Sequence, residues 1–101
     1  MPSERPLISA IVITKNESEK IGDCLASLQW ADEVVVVDDF SCDGTPEICR
    51  RYGVTFQQNH FTGFRDQKSY AMSLTSYDWV LVLDDAAKQY PAPGSSNYKA
   101  N

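Results

Sequence analysis

The chain has 101 residues, 43% hydrophobic and 23% charged, with 9 Lys and Arg against 14 Asp and Glu, giving a net charge of −5. That length holds one core, and the acidic balance excludes the basic stripe of a general nucleic-acid binder and the polybasic segment of a membrane anchor. No apolar run approaches the roughly 20 residues of a membrane-spanning helix, so no integral membrane segment is expected, and the residues before Leu7 lack a signal-peptide layout.

The first element is Leu7–Thr14, a continuous apolar and β-branched run that predicts a strand buried on both faces. Asn16 is placed to cap the helix that follows, with Glu17 and Glu19 in its first turn, and Ile21, Cys24, Leu25 and Leu28 give that helix one apolar face. Glu33–Val37 predicts a second buried strand, running into the polar loop Asp38-Asp39-Phe40-Ser41-Cys42-Asp43-Gly44. Thr45 is read as the next helix cap, with Pro46 at the first helical position and Gly53 as the stop. Val54–Phe56 is a short third strand and Gln57–Gly63 a loop. Arg65 to about Thr75 is a third helix, and Trp79–Leu83 a fourth strand that runs into Asp84-Asp85. Trp30, Trp79 and the tyrosines are read as core or strand-end packing.

Strand and helix therefore alternate, which predicts an α/β fold: a four-stranded, mostly parallel sheet of order 3-2-1-4 between helical layers. The unpaired edge of the fourth strand allows self-association. Residues 86–101 lose all periodicity and are rich in Pro, Gly, Ser and Ala, so a disordered tail is expected there. The three cysteines lack CxxC spacing and His60 is the single histidine. A zinc site is not indicated, and the reading is a cytoplasmic protein with reduced thiols, Cys24 and Cys49 on buried helix faces.

In an open parallel sheet, ligands bind beyond the carboxyl ends of the strands, where strand order reverses. Thr14 to Glu17, Asp38, Asp39, Asp84 and Asp85 would gather there. Clustered like charges repel, so stability does not account for that concentration. An aspartate at the end of the second strand can accept a hydrogen bond from a base N–H and from a ribose hydroxyl; turn formation is the structural alternative for Asp38 and Asp39. Asp84 and Asp85 are what a hard divalent cation requires beside substrate phosphates, the alternative being a solvated strand end. Arg65 and Lys68 open the third helix against its dipole, where a diphosphate would compensate them; otherwise they form a solvated basic patch. His60 is read as a loop histidine without a role.

Ile8–Glu17, Val35–Thr45 with its Asp-Asp-x-Ser-x-Asp-Gly-Thr run, Gly63–Ala71 and Asp78–Asp84 resemble the N-terminal half of inverting family 2 glycosyltransferases. They look like the branch that adds glucose to the inner core of lipopolysaccharide. The resemblance implies a three-layer, Rossmann-like GT-A nucleotide-binding half, a nucleotide-diphosphate sugar (a UDP-sugar) as ligand, and Mn²⁺ or Mg²⁺ as cofactor. It assigns Thr14, Asn16 and Glu17 to the nucleoside, Asp39 to the uracil ring with Asp38 beside it, Arg65 or Lys68 to the diphosphate, and Asp84 to the first acid of the metal motif. The family reads Leu-Asp-Ala-Asp-Glu where this chain has Leu83-Asp84-Asp85-Ala86-Ala87, so Ala86 stands at the second acid and Asp85 is the substitute ligand.

The expectation is thus a truncated GT-A nucleotide-sugar-binding domain over residues 1–85, with no catalytic residue assigned and no transfer by these residues alone. The alternative is a non-catalytic α/β binding module or relic with little or no nucleotide affinity. A phosphoacceptor receiver would need acids after the first strand, where Lys15-Asn16-Glu17 stand, and a dinucleotide oxidoreductase would need a GxGxxG that the first helix lacks.

Overall fold

The computed structural model describes residues 7–83 and the backbone of 96–99. Four strands run parallel: β1 (Ile8–Thr14), β2 (Glu33–Asp38), β3 (Thr55–Gln58) and β4 (Trp79–Leu83). Their order is β3-β2-β1-β4, as the alternating pattern predicts, and β5 (Ser96–Lys99) pairs antiparallel with the far side of β4. The helices are α1 (Ile21–Ser27), α2 (Thr45–Arg51) and α3 (Phe64–Ser73).

The alternation of side chains along each strand divides the core between two faces. Ala10, Val12, Val36, Leu81 and Leu83 pack with Ile21, Cys24, Leu25 and Leu28 of the α1 segment and with Cys49 of α2. Ile11, Ile13, Val35, Val37, Val80 and Val82 pack on the other face against Ala71 of α3. Both faces are covered, which is why β1 and β2 read as unbroken apolar runs. Each fully buried Ile, Leu or Val contributes about 1.5–3 kcal/mol, so the central strands are the stable frame from which the loops project.

At the amino ends of the strands, Glu33 acts as a clasp. Its carboxylate accepts the Ser9 hydroxyl at 2.7 Å and the Ser76 N–H at 2.7 Å, tying β2 to β1 and to the turn before β4. Asp32 closes the same end by accepting the Ile8 N–H at 2.8 Å.

Several local expectations change. Of the residues 86–101 read as a disordered tail, 96–99 form a strand on the open row of backbone N–H and C=O groups of β4, and the others lie outside the described residues. The β4 edge nominated for self-association is therefore occupied, and the outer strands are β3 and β5. Asn16 does not cap α1: it sits in the left-handed region at φ 51°, and the helix begins at Ile21 after a turn closed by the Ile21 N–H on the Glu17 carbonyl at 2.8 Å. Thr45 is the first residue of α2 rather than its cap, and the Asp43 carboxylate takes the capping part by accepting its N–H at 3.0 Å. Trp30 is exposed at 52% and is not core, while Trp79, exposed at 40%, stands at the start of β4, the strand-end alternative. Cys24 and Cys49 are buried, as expected.

Candidate functional site

The register aligns Thr14 with Asp38 and Asp38 with Gln58, so the carboxyl ends of β1, β2 and β3 form one edge. Asp38 is fully buried there. Its carboxylate accepts the Ser41 N–H at 2.8 Å, the Ser41 hydroxyl, and Gln58 Nε2–H at 3.2 Å. Those bonds turn the chain sharply after β2, and the buried charge is answered inside the protein. The Asp38 charge also reaches the helical layer: burial pushes the Cys49 thiol up to about 12, and Asp38 adds to that.

Ser41 passes the arrangement on to the first loop. Its oxygen accepts the Asn16 N–H at 2.7 Å, while Asn16 Oδ1 accepts the Cys42 N–H at 2.7 Å. Further along, Thr45 Oγ1 accepts the Glu17 N–H at 3.0 Å and donates to Asp43 Oδ1 at 2.6 Å. Asp43 Oδ2 accepts the Ser18 N–H at 3.1 Å. The Thr45 hydroxyl and N–H, with the Ser18 N–H, outweigh desolvation and hold the Asp43 carboxyl down at about 2. The β1–α1 and β2–α2 loops are thereby laced into one unit. Asn16 (φ 51°) and Phe40 (φ 48°) both hold left-handed backbone within it. For a bulky residue such as Phe40 this costs on the order of 1–3 kcal/mol, a kind of strain that gathers at ligand sites.

Asp39 stands at the mouth of this unit. Its N–H donates to the Thr14 carbonyl at 3.1 Å, and its side chain is 13% exposed. Oδ1 accepts the Phe61 N–H at 3.2 Å and lies 3.3 Å from His60 Nδ1; Oδ2 lies 3.4 Å from Lys15 Nζ. Partial burial pushes the carboxyl up, but the Phe61 N–H, Lys15 and His60 together hold it below the usual carboxylate range. Lys15 and His60 are themselves exposed, and the His60 ring meets Phe40 edge-on at 6.0 Å. The carboxylate is ionised, acceptor-only, and covered on its outer side by side chains that can turn into solvent.

The third loop closes the site through α3. Asn59 donates its N–H to the Asp38 carbonyl at 2.9 Å and exchanges two amide bonds with Gln67, each 2.8 Å. Gly63 takes φ 147° and ψ 152° before the helix, a conformation open in practice only to glycine. Arg65 is exposed on the opening turn, and Lys68 Nζ lies 5.5 Å from the Phe64 ring centroid. Arg65 opposes the helix dipole in the first turn, where Asp66 offsets it, while Lys68 lies one turn further along.

Of the residues nominated from sequence, Thr14, Asn16, Glu17, Asp38 and Asp39 come together in the laced loops, and Arg65 and Lys68 stand on the element joined to them through residues 59–63. Among the described residues, Thr14 Oγ1 is the buried side-chain polar atom left without a hydrogen-bond partner. Asp84 and Asp85, the nominated metal ligands, lie outside the described residues, as does Ala86. Among the described residues no three His, Cys, Asp or Glu side chains gather to hold a cation. Lys15, Ser41, Asn59, His60 and Gln67 received no individual role from sequence. Gln67 carried a signal, since it precedes Ala71 by one helical turn on the buried face.

The family model of Glycosyl transferase family 2 matches residues 9–85. A glycosyltransferase of Rickettsia conorii is 42% identical over 78 residues, covering 76% of this chain and 28% of that protein. The lipopolysaccharide core biosynthesis glycosyltransferase LpsC of Rhizobium meliloti is 32% identical over 82 residues, covering 76% of this chain and 30% of its own length. Among solved structures, the mannosyltransferase PcManGT from Pyrobaculum calidifontis, in complex with GDP-Man and Mn²⁺, has a TM-score of 0.73 at 29% identity, covering 89% of this chain and 30% of that one. The glucosyl-3-phosphoglycerate synthase of Mycobacterium tuberculosis with Mn²⁺ and UDP-Glc has a TM-score of 0.69 at 22% identity over 78% of this chain and 33% of its own, a likeness of fold. The chain thus spans under a third of the length of the proteins it matches. Among the described residues no helix is long and apolar enough to cross a membrane. With its three-layer Rossmann-like architecture, its Asp-Asp-x-Ser-x-Asp-Gly-Thr loop and the match over residues 9–85, the chain belongs to glycosyl transferase family 2.

Proposed function

We propose that these residues bind the nucleotide of a UDP-sugar, and that the whole protein transfers the sugar to an acceptor of the lipopolysaccharide-core class. One observation carries the reading: an ionised Asp39 carboxylate at the carboxyl edge of the sheet, with exposed Lys15 and His60 as its outer cover. A carboxylate accepts hydrogen bonds and donates none, so it selects a base that offers a ring N–H. Uracil N3–H and guanine N1–H meet that need; cytosine in the same pose presents its N3 lone pair to the carboxylate and could answer it only by sliding to its N4–H₂ group. The likeness to LpsC supports the acceptor class.

In this reading Thr14, Asn16 and Glu17 line the nucleoside from the first loop. Asp38 acts indirectly, because its oxygens are taken by Ser41 and Gln58, and it fixes the turn that presents Asp39. Arg65 and Lys68 meet the diphosphate. Asp84 and Asp85 are the proposed metal ligands, and a Mn²⁺ or Mg²⁺ ion held there would neutralise charge on the diphosphate. The described residues are assigned binding and orientation, not proton transfer. A second reading, a non-catalytic binding module, is favoured by Ala86 at the position of the family's second acid.

Amide chemical shifts of the ¹⁵N-labelled chain, followed during titration with UDP, GDP and CDP, test the proposal. UDP is expected to shift Asn16, Asp39 and Phe61, GDP to do so if the pocket admits a purine, and CDP to bind at least tenfold more weakly, the discrimination of about 1.5–3 kcal/mol expected of a bond to a charged group. Equal responses to UDP and CDP, or none at millimolar ligand, would overturn it.

A further inference from the structure

We propose that Gln67 is a positioning residue of the nucleotide site: through Asn59 it fixes the backbone that presents the Phe61 N–H to Asp39. The functional meaning of this rests on the reading of Asp39 given above; the structural coupling does not.

Gln67 is fully buried on the sheet-facing side of α3, beside Ala71. An unpaired primary amide there would be costly, and an apolar side chain of the same length would pack without that risk. The amide is instead paired twice with one residue: Gln67 Nε2–H donates to the Asn59 carbonyl at 2.8 Å, and Asn59 Nδ2–H donates to Gln67 Oε1 at 2.8 Å. The Asn59 N–H donates to the Asp38 carbonyl at 2.9 Å, so the end of β2, Asn59 and α3 are joined. On the far side of the loop, the Gln67 N–H donates to the Gly63 carbonyl at 3.0 Å. Residues 60–62 are therefore a short span between Asn59, held by the Gln67 side chain, and Gly63, held by the first backbone bond of α3. Within that span the Phe61 N–H reaches Asp39 Oδ1 at 3.2 Å, and His60 reaches the same oxygen. The groups facing the Asp39 carboxylate are Lys15 from the first loop and His60 and the Phe61 N–H from the third. Two of those three are placed by the span that Gln67 holds.

The test uses Gln67→Met, which keeps length and apolar packing and removes both bonds, and Asn59→Ala, which removes the Nδ2–H bond to Gln67 Oε1 and leaves the bond to the Asn59 carbonyl, should the first variant fail to fold. The ¹³C carboxyl resonance of Asp39 is titrated without ligand, the Phe61 amide is followed, and the UDP Kd is measured. The expected result is a folded protein whose Asp39 midpoint moves up toward the ordinary carboxylate value, with a displaced Phe61 amide and a UDP Kd weakened roughly 3- to 10-fold, as for loss of one hydrogen bond. General destabilisation would not move a single carboxyl midpoint in the folded state. An unmoved midpoint and Phe61 amide in a folded variant would overturn the proposal. If the unmodified chain does not bind UDP, the function reading fails, and the Asp39 midpoint still decides whether Gln67 positions the loop.

Discussion

Replacing Asp38 with asparagine keeps the shape of a fully buried side chain and removes its charge. One oxygen, Oδ2, accepts both the Ser41 N–H at 2.8 Å and Gln58 Nε2–H at 3.2 Å; the other accepts the Ser41 hydroxyl. The less costly orientation of asparagine leaves its carbonyl at the Oδ2 place and turns its NH₂ toward Ser41 Oγ. Two bonds then lose charge assistance, about 1 kcal/mol each, and the Ser41 hydroxyl hydrogen loses its acceptor, for a total of about 2–3 kcal/mol. With a urea m value of about 1–1.5 kcal/mol/M for a domain of this size, the unfolding midpoint should fall by about 1–3 M. A local signature accompanies it, because Ser41 Oγ also accepts the Asn16 N–H at 2.7 Å, and that amide should shift in the folded variant. Asp39→Asn is the control: its side chain lies at the mouth of the loop unit and should cost less than about 1 kcal/mol. An Asp38→Asn midpoint within about 0.3 M of the parent, with Asn16 unmoved, would refute the assignment of Asp38 as the anchor of the laced loops.

Thiol chemistry should follow burial. Cys42 is exposed and should react with a disulfide reagent at pH 8 in the native state, while Cys24 and Cys49 should react only after unfolding. The Cys49 thiol, at about 12 in the folded chain against 9.0 for the unperturbed group, stays protonated where the unfolded chain ionises. Its contribution to stability is thus complete below about pH 9 and is lost as pH rises through about 12; urea midpoints should fall across that window, and Cys49→Ala should flatten the fall. Asp43 behaves in the opposite sense. Its folded value of about 2 against 3.8 means that its contribution is present above about pH 4 and is lost as pH falls through 2. Carboxyl NMR should place its midpoint near 2, and Thr45→Ala should raise it.

The sheet was legible because its signal is dense. Unbroken β-branched runs such as Glu33–Val37, each followed by a helical period and a small-residue loop, admit few arrangements other than a parallel sheet. Helix boundaries were less legible, since capping is decided by contacts across loops. Asn16 has the composition of a helix cap, but its side-chain Oδ1 is taken by the Cys42 N–H from another loop, and α1 starts later. Likewise Asp43, not Thr45, answers the first N–H of α2. The pairing of β5 could not be read from periodicity, because backbone pairing at a sheet edge requires no apolar pattern. In the site, motif spacing located Asp38 and Asp39 but not their division of labour. Adjacent residues leaving a strand point to opposite sides, so one is buried under Ser41 and the other meets Lys15, His60 and Phe61. Gln67 and Asn59 are eight residues apart, and their reciprocal bonds become visible only once α3 is docked on the sheet.

The central claim is that Asp39 receives the base of a uridine nucleotide. Its most direct test is the calorimetric UDP Kd of the parent chain and of Asp39→Ala, at matched salt and pH 7, with circular dichroism to verify that both are folded. Loss of a hydrogen bond to a charged acceptor should weaken UDP binding by about 1.5–3 kcal/mol, roughly 10- to 150-fold, while CDP, relieved of the lone-pair contact, should bind the variant at least as well as the parent. A UDP Kd unchanged by the substitution would contradict the assignment.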